Sequence, residues 1–120
     1  MPSRPPSRGL EVETIGDVTV VRFTLARILA EDQIQTLGQQ LLSLLADPSR
    51  RQFVVNFGSV ESMASMMVSK LFALRQRVEA VGGRVVLCQI PDGLYEVFNI
   101  LKVPQLIRCY EDEQEALQSF

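Results

Sequence analysis

The residues able to do chemistry are few. The chain has no histidine, the commonest general base and transition-metal ligand, so neither a Ser-His-Asp nor a Cys-His arrangement can be assembled. Its two cysteines, Cys88 and Cys109, lie outside any CxxC pattern and inside apolar segments, which suits buried, reduced core thiols better than redox work. No GxGxxG or Walker-type loop is present to cradle a phosphate. Glu61 and Asp92 follow expected strand ends, where α/β folds often place catalytic carboxylates, yet a solvated loop charge accounts for each. What remains is a hydroxyl. In Phe53-Val-Val-Asn-Phe-Gly-Ser-Val-Glu-Ser-Met-Ala-Ser-Met-Met-Val-Ser-Lys-Leu71 an apolar strand passes through a polar loop into a helix, and Ser65 falls in that helix's first turn. Two roles are open to it. Its oxygen can cap free backbone N–H groups, worth about 1 kcal/mol. Alternatively, the positive helix end favours an added phosphoryl dianion, whose charge would alter any docking surface. Met63, Met66 and Met67 surround it. They pack a core or form a deformable apolar docking surface, and helical spacing cannot bury all three equally.

The elements that must position this hydroxyl follow from periodicity. Leu10 to Ile15 and Val18 to Phe23, separated by Gly16-Asp17, predict an antiparallel hairpin. Ile34, Leu37, Leu41, Leu42, Leu44 and Leu45 recur at helical spacing over 31–45, and Asp47-Pro48 ends that helix. Gln52 to Phe57 is an almost continuous apolar run, as expected of a central strand covered on both faces. A second helix over 65–81 buries Val68, Leu71, Leu74, Val78 and Val81 and stops at Gly82-Gly83. A strand over 84–90, a helix from Asp92 with Leu94, Val97, Phe98 and Leu101 inward, a strand over 106–110 and a helix over 111–120 complete the chain. The order ββαβαβαβα, with strands and single helices alternating, predicts an α/β fold with parallel strands joined by right-handed crossovers.

Composition removes whole classes of function. With 120 residues, 47% apolar and 22% charged, one soluble domain is expected. No apolar stretch approaches the roughly 20 residues of a membrane span, so no direct membrane insertion is expected. Residues 1–9, with Pro2, Pro5 and Pro6, have too little to bury and are expected to form a flexible Pro/Ser/Arg arm before a domain over 10–120. Leaving out Arg4, Arg8 and the four acidic residues after Tyr110, the body carries ten basic and ten acidic side chains. It lacks the basic stripe of a nucleic-acid binder. A non-enzymatic protein of the cytoplasm is the expected class, with no metal or cofactor.

From Leu10 onward the sequence resembles the STAS domain family of bacterial anti-sigma factor antagonists. The resemblance rests on Asn56-Phe-Gly-Ser-Val60, Ala64-Ser-Met-Met-Val68, Ala80-Val-Gly-Gly-Arg-Val-Val-Leu87, Leu101-Lys-Val-Pro-Gln-Leu106 and Tyr110-Glu-Asp-Glu-Gln-Glu-Ala-Leu117, in one unbroken register. It implies a mixed central sheet with a leading antiparallel hairpin, helices largely on one face, and no active site. It implies transcription regulation through an anti-sigma factor or serine-kinase-like regulator as partner, with binding ended by serine phosphorylation; homodimerisation stays open. By position the acceptor is Ser65, and the partner-binding surface is Ser62, Met63, Met66, Met67, Val68 and Lys70. Where the family has Asp-Ser-Ser/Thr-Gly this chain has Ala64-Ser-Met-Met67, and the strand-end aspartate is Asn56. The alternatives are a degenerate scaffold subunit of a signalling or lipid-transport complex without a phosphoswitch, and a sensor of a small apolar ligand.

Overall fold

A two-residue connection between antiparallel strands needs left-handed backbone, which glycine adopts without a Cβ clash. Gly16 supplies it at φ 60°, and β1 (Leu10–Ile15) pairs with β2 (Val18–Phe23) from Leu10↔Phe23 to Ile15↔Val18. The computed structural model describes residues 9–120, so most of the expected arm lies outside the described residues. Gly9, assigned to the arm from sequence, is buried, and its carbonyl accepts from Thr24 N–H at 2.9 Å.

Two strands that periodicity did not reveal follow. β3 (Arg27–Ile28) pairs in parallel with β5 (Ser62–Met63) as a small separate sheet. Two-residue strands are too short to show alternation. The main sheet continues from β2 through β4 (Gln52–Asn56) and β6 (Arg84–Cys88) to β7 (Cys109–Tyr110), in the order β1-β2-β4-β6-β7 with every pairing after the hairpin parallel. β6 stops two residues earlier than expected because Gln89 turns left-handed at φ 53°. β7 is shorter than expected as well. Lys102, at φ 64°, starts the short helix α4 (Val103–Leu106), which points Val103 and Ile107 into the core.

The continuous apolar runs of β4 and β6 have cover on both faces. Phe53, Val55, Val85 and Leu87 face the larger core, and Val54, Val86 and Cys88 the smaller one. Side chains alternate along a strand, so each run must feed both layers. Over the larger face lie α1 (Glu31–Ser43, extended by a 3-10 turn at Leu44–Ala46), α2 (Ser65–Ala80), α3 (Asp92–Ile100) and α4. Phe57 sits among them, 5.3 Å from the rings of both Phe23 and Phe98, edge-on to the latter. On the smaller face α5 (Glu113–Gln118) buries Ala116 and packs Leu117 and Phe120 against the valines. Its start is Glu113, two residues later than expected, because Asp112 caps it by accepting from Glu115 N–H at 2.8 Å. The fold is a mixed α/β sheet with helices largely on one face. No helix among the described residues is long and apolar enough to cross a membrane.

α2 ends at Ala80, and Val81, expected inward, is exposed after it. Gly82, at φ 81°, then reverses the chain while Gly83 N–H returns to the Val78 carbonyl at 2.9 Å. Gly83 is required for a different reason. A Cβ there would collide with the backbone carbonyl of Arg51, which Arg84 N–H uses at 2.9 Å to align β6 with β4. Gly83→Ala is therefore expected to lower stability by about 2–3 kcal/mol through forced backbone movement. Gly93→Ala, a helical site with nothing within 4 Å, is expected to be neutral or to gain up to about 1 kcal/mol. Urea unfolding of both variants checks the pair; equal losses would contradict the contact.

Candidate functional site

The loop that carries Ser65 is fixed at both ends by backbone and amide hydrogen bonds. At its start, Asn56 Oδ1 accepts from Gly58 N–H at 2.7 Å and Val60 N–H closes a turn onto the Phe57 carbonyl at 2.9 Å. At its end, the Ala26 carbonyl accepts from Glu61 N–H at 2.7 Å and Ser62 N–H at 3.1 Å, and the Ile28 carbonyl accepts from Ala64 N–H at 2.9 Å. The small β3–β5 sheet thus holds the first turn of α2 against the chain that follows the hairpin. Leu29, directly after that Ile28 carbonyl, is 53% exposed. It belongs to this surface, and sequence reasoning missed it because nothing marks a two-residue strand.

The structure separates the expected site residues into two groups. Ser65 and Met66 are exposed, Met66 at 42%, and Ser62 is half-buried. Met63, Met67 and Val68 are corrections: all three are core side chains, with Met67 fully buried. The physical reason is helix phase. Met67, Val68, Leu71, Leu74 and Val78 make one inward stripe, and Met63 enters the same core from β5. Lys70 is half-buried; its stem lies over Gly38 of α1, and its Nζ donates to Gln35 Oε1 at 3.1 Å. It packs two helices together rather than standing free. The capping role for Ser65 is corrected too. Ala64 occupies the cap position with φ −71° and ψ 149°, and no side chain caps α2. Ser65 is the first helical residue, and its hydroxyl has no hydrogen-bond partner among the described residues.

Asn56 explains one departure from the family pattern. Its Nδ2 donates to Gln89 Oε1 and to Glu113 Oε1, both at 2.9 Å. An aspartate would lack both donors and set a second carboxylate against Glu113. Glu113 is further gripped by Arg22, with Nε to Oε1 at 2.8 Å and Nη2 to Oε2 at 2.7 Å, while Arg22 Nη1 reaches Glu13 at 2.8 Å. The Arg22 hydrogen bonds, with help from Asn56, hold the Glu113 carboxyl below the usual carboxylate range. The same pairing, with Glu13, raises Arg22. Burial foremost, with Glu113 and Asp112 nearby, pushes the Cys88 thiol up to about 12, and burial pushes Cys109 up to about 11. Both are free thiols, one in each core layer and so on opposite faces of the sheet. Among the described residues no group of three or more His, Cys, Asp or Glu side chains is placed to hold a metal ion.

A family model described as the STAS domain matches residues 9–116. Solved structures with the same fold include an anti-sigma-factor antagonist domain protein from Planctomyces limnophilus, with 23% identity and TM-score 0.80 over 92% of this chain and 95% of that one. The phosphorylated form of the Bacillus cell fate determinant SpoIIAA superposes with TM-score 0.70 at 17% identity, over 92% and 97% of the two chains. A sulfate transporter family protein from Wolinella succinogenes gives TM-score 0.73 at 14% identity, over 89% and 87%.

Because Glu113 titrates lower in the folded chain than its ordinary value of about 4.3, the unfolded chain binds more protons in the window between the two values. The stabilisation from Glu113 is complete above that window and is lost as pH falls through the folded value. Glu113→Gln is expected to cost about 1–3 kcal/mol at pH 7, the range for hydrogen bonds to a charged group. The gap between the two proteins should close below about pH 4. Urea unfolding at a series of pH values measures it; a gap constant from pH 7 to pH 3 would contradict the ionic origin.

Proposed function

The chain belongs to the STAS domain family, and from that premise we propose that it is a non-enzymatic interaction module of the anti-sigma factor antagonist kind in the bacterial cytoplasm. Its partner is a kinase-type anti-sigma regulator, gripped through the exposed start of α2. One observation carries this reading: Ser65 is presented outward at the first position of a 16-residue helix, with its hydroxyl unused as a cap and the exposed Met66 next to it in the chain. A buried or capping serine would be unavailable to an enzyme. This one is available.

In the proposed switch the partner brings a nucleoside triphosphate and a base. The Ser65 oxygen bonds to the terminal phosphorus as the bond to the leaving diphosphate breaks, and the hydroxyl proton passes to the partner's base. The added group carries about −1.5 to −2 charges at neutral pH. At a helix start, the dipole and unpaired N–H groups stabilise that charge within the domain. Against the exposed Met66, a partner surface shaped for an uncharged hydroxyl must then desolvate a dianion, which weakens docking.

A second reading keeps the docking surface and drops the switch. It is favoured by Ala64 and Met67, which replace the family's leading aspartate and its glycine, and it is the reading that the transporter relative fits. The apolar-ligand alternative gains nothing from the cavities of about 490, 350 and 290 Å³, since none is lined by Met63, Met66 or Met67.

With the partner captured from the native cell and purified, Ser65→Asp is expected to weaken binding by about tenfold or more, equivalent to at least about 1.4 kcal/mol. Met66→Glu should weaken it similarly, and Ser65→Ala should bind as the parent does. Intact-mass measurement of the cellular protein should find one phosphoryl group on Ser65. Loss of binding with Met66→Glu but not with Ser65→Asp, and no phosphoryl group in any growth state, would replace the switch with the scaffold.

A further inference from the structure

At the carboxyl ends of β6 and β7 the chain rises into α3 on one side and into Glu111 on the other. The space between is an open cavity of about 490 Å³ lined by Ile90, Asp92, Tyr95, Cys109, Tyr110 and Glu111. This is the edge at which open α/β sheets characteristically take ligands. The lining is chemically one-sided: two carboxylates, two phenol rings, a thiol and an aliphatic chain, with no amine or guanidinium among them. Asp92 and Glu111 are exposed, and neither makes a salt bridge among the described residues. Cys109 stays a neutral thiol at physiological pH, its titration pushed up to about 11 by burial. Asp92 stands in the first turn of α3, where it offsets the positive helix end that would repel a cation.

We propose that this cavity binds an organic cation, a guanidinium or alkylammonium group that lies against the ring of Tyr95, is neutralised by Asp92 and Glu111, and passes the edge of Tyr110, whose side chain packs on the other face of the sheet. The faces of aromatic rings attract such groups, and partial desolvation in a cleft strengthens the attraction. A bare metal ion fits less well, because Asp92, Cys109 and Glu111 do not form a group placed to hold one. The cavity is wide enough for a cation that carries its own hydrocarbon chain, with Ile90 and the half-buried Cys109 as its apolar floor. The site does not involve Ser65 and stands or falls separately from the docking role of α2.

The sequence supplies its own reporter. The chain has no tryptophan and two tyrosines, and both line this cavity, so intrinsic tyrosine emission reads the site directly. The intact protein is titrated at low salt with agmatine, with a blocked Gly-Arg-Gly peptide, and with glutarate as an anionic control. A saturable change in emission with agmatine and peptide alike identifies a site for a free organic cation. Saturation by the peptide alone assigns the cation to a basic side chain of another protein. In either case Asp92→Asn combined with Glu111→Gln should raise the dissociation constant by about tenfold, with the melting temperature lowered by no more than a few degrees through the lost charge at the start of α3. No saturable change with either cation, an equal response to glutarate, or undiminished affinity in the double variant would overturn the proposal.

Discussion

The side chain of Asn56 joins parts of the chain that nothing else in the sequence brings together. Its oxygen holds the turn after β4, and its amide holds Gln89 after β6 and Glu113 at the start of α5. Glu113 is in turn clamped by Arg22 of β2. The strand ends and the one helix among the described residues that packs on the smaller face are therefore tied by one small polar cluster around a carboxylate. Such a cluster is stabilising only when complete, since a buried polar group that loses its partner keeps its desolvation cost. The turn that delivers Ser65 leaves β4 at this point, so the direction of the exposed hydroxyl depends on an amide on the opposite side of the sheet.

The surface around Ser65 is smaller and more selective than a methionine-rich segment suggests. Two of its three methionines belong to the core, and the third projects. Leu29, exposed directly after β3, is brought near the start of α2 because the Ile28 carbonyl accepts from Ala64 N–H. Lys70, by contrast, is held by α1. The result is a hydroxyl beside one projecting methionine, with the exposed charges Arg27 and Glu61 on the adjoining β3–β5 segments.

The second feature of the carboxyl edge differs in character. Around the start of α2 the edge carries Met66 among serine hydroxyls; around α3 and β7 it is acidic and aromatic. Gln89 lies between them, its left-handed backbone ending β6 and its side chain accepting from Asn56. Non-glycine residues hold that conformation only when their surroundings fix them, and here the Asn56 amide does so.

Periodicity alone determined the hairpin and the three longer helices, because each rests on several residues repeating at 2.0 or 3.6 spacing. Apolar runs gave the strands over 52–57 and 84–90, the second two residues too long, and motifs in one register carried the family resemblance. Periodicity also placed Ser65 at a helix start. Only the tertiary structure decided that Ala64, not Ser65, is the cap, that Met63, Met67 and Val68 turn inward, and that Leu29 is left exposed where β3 meets the start of α2. Helix phase turns Met67 and Val68 inward, whereas the place of Met63 and of the chain at Ala64 hangs on β3 and β5, two residues each, whose pairing is between segments distant in sequence and leaves no local trace. The Arg22–Glu113–Asn56 cluster was invisible for the same reason: its members are 91 and 57 positions apart, and a hydrogen bond across that distance exists only once the sheet has formed.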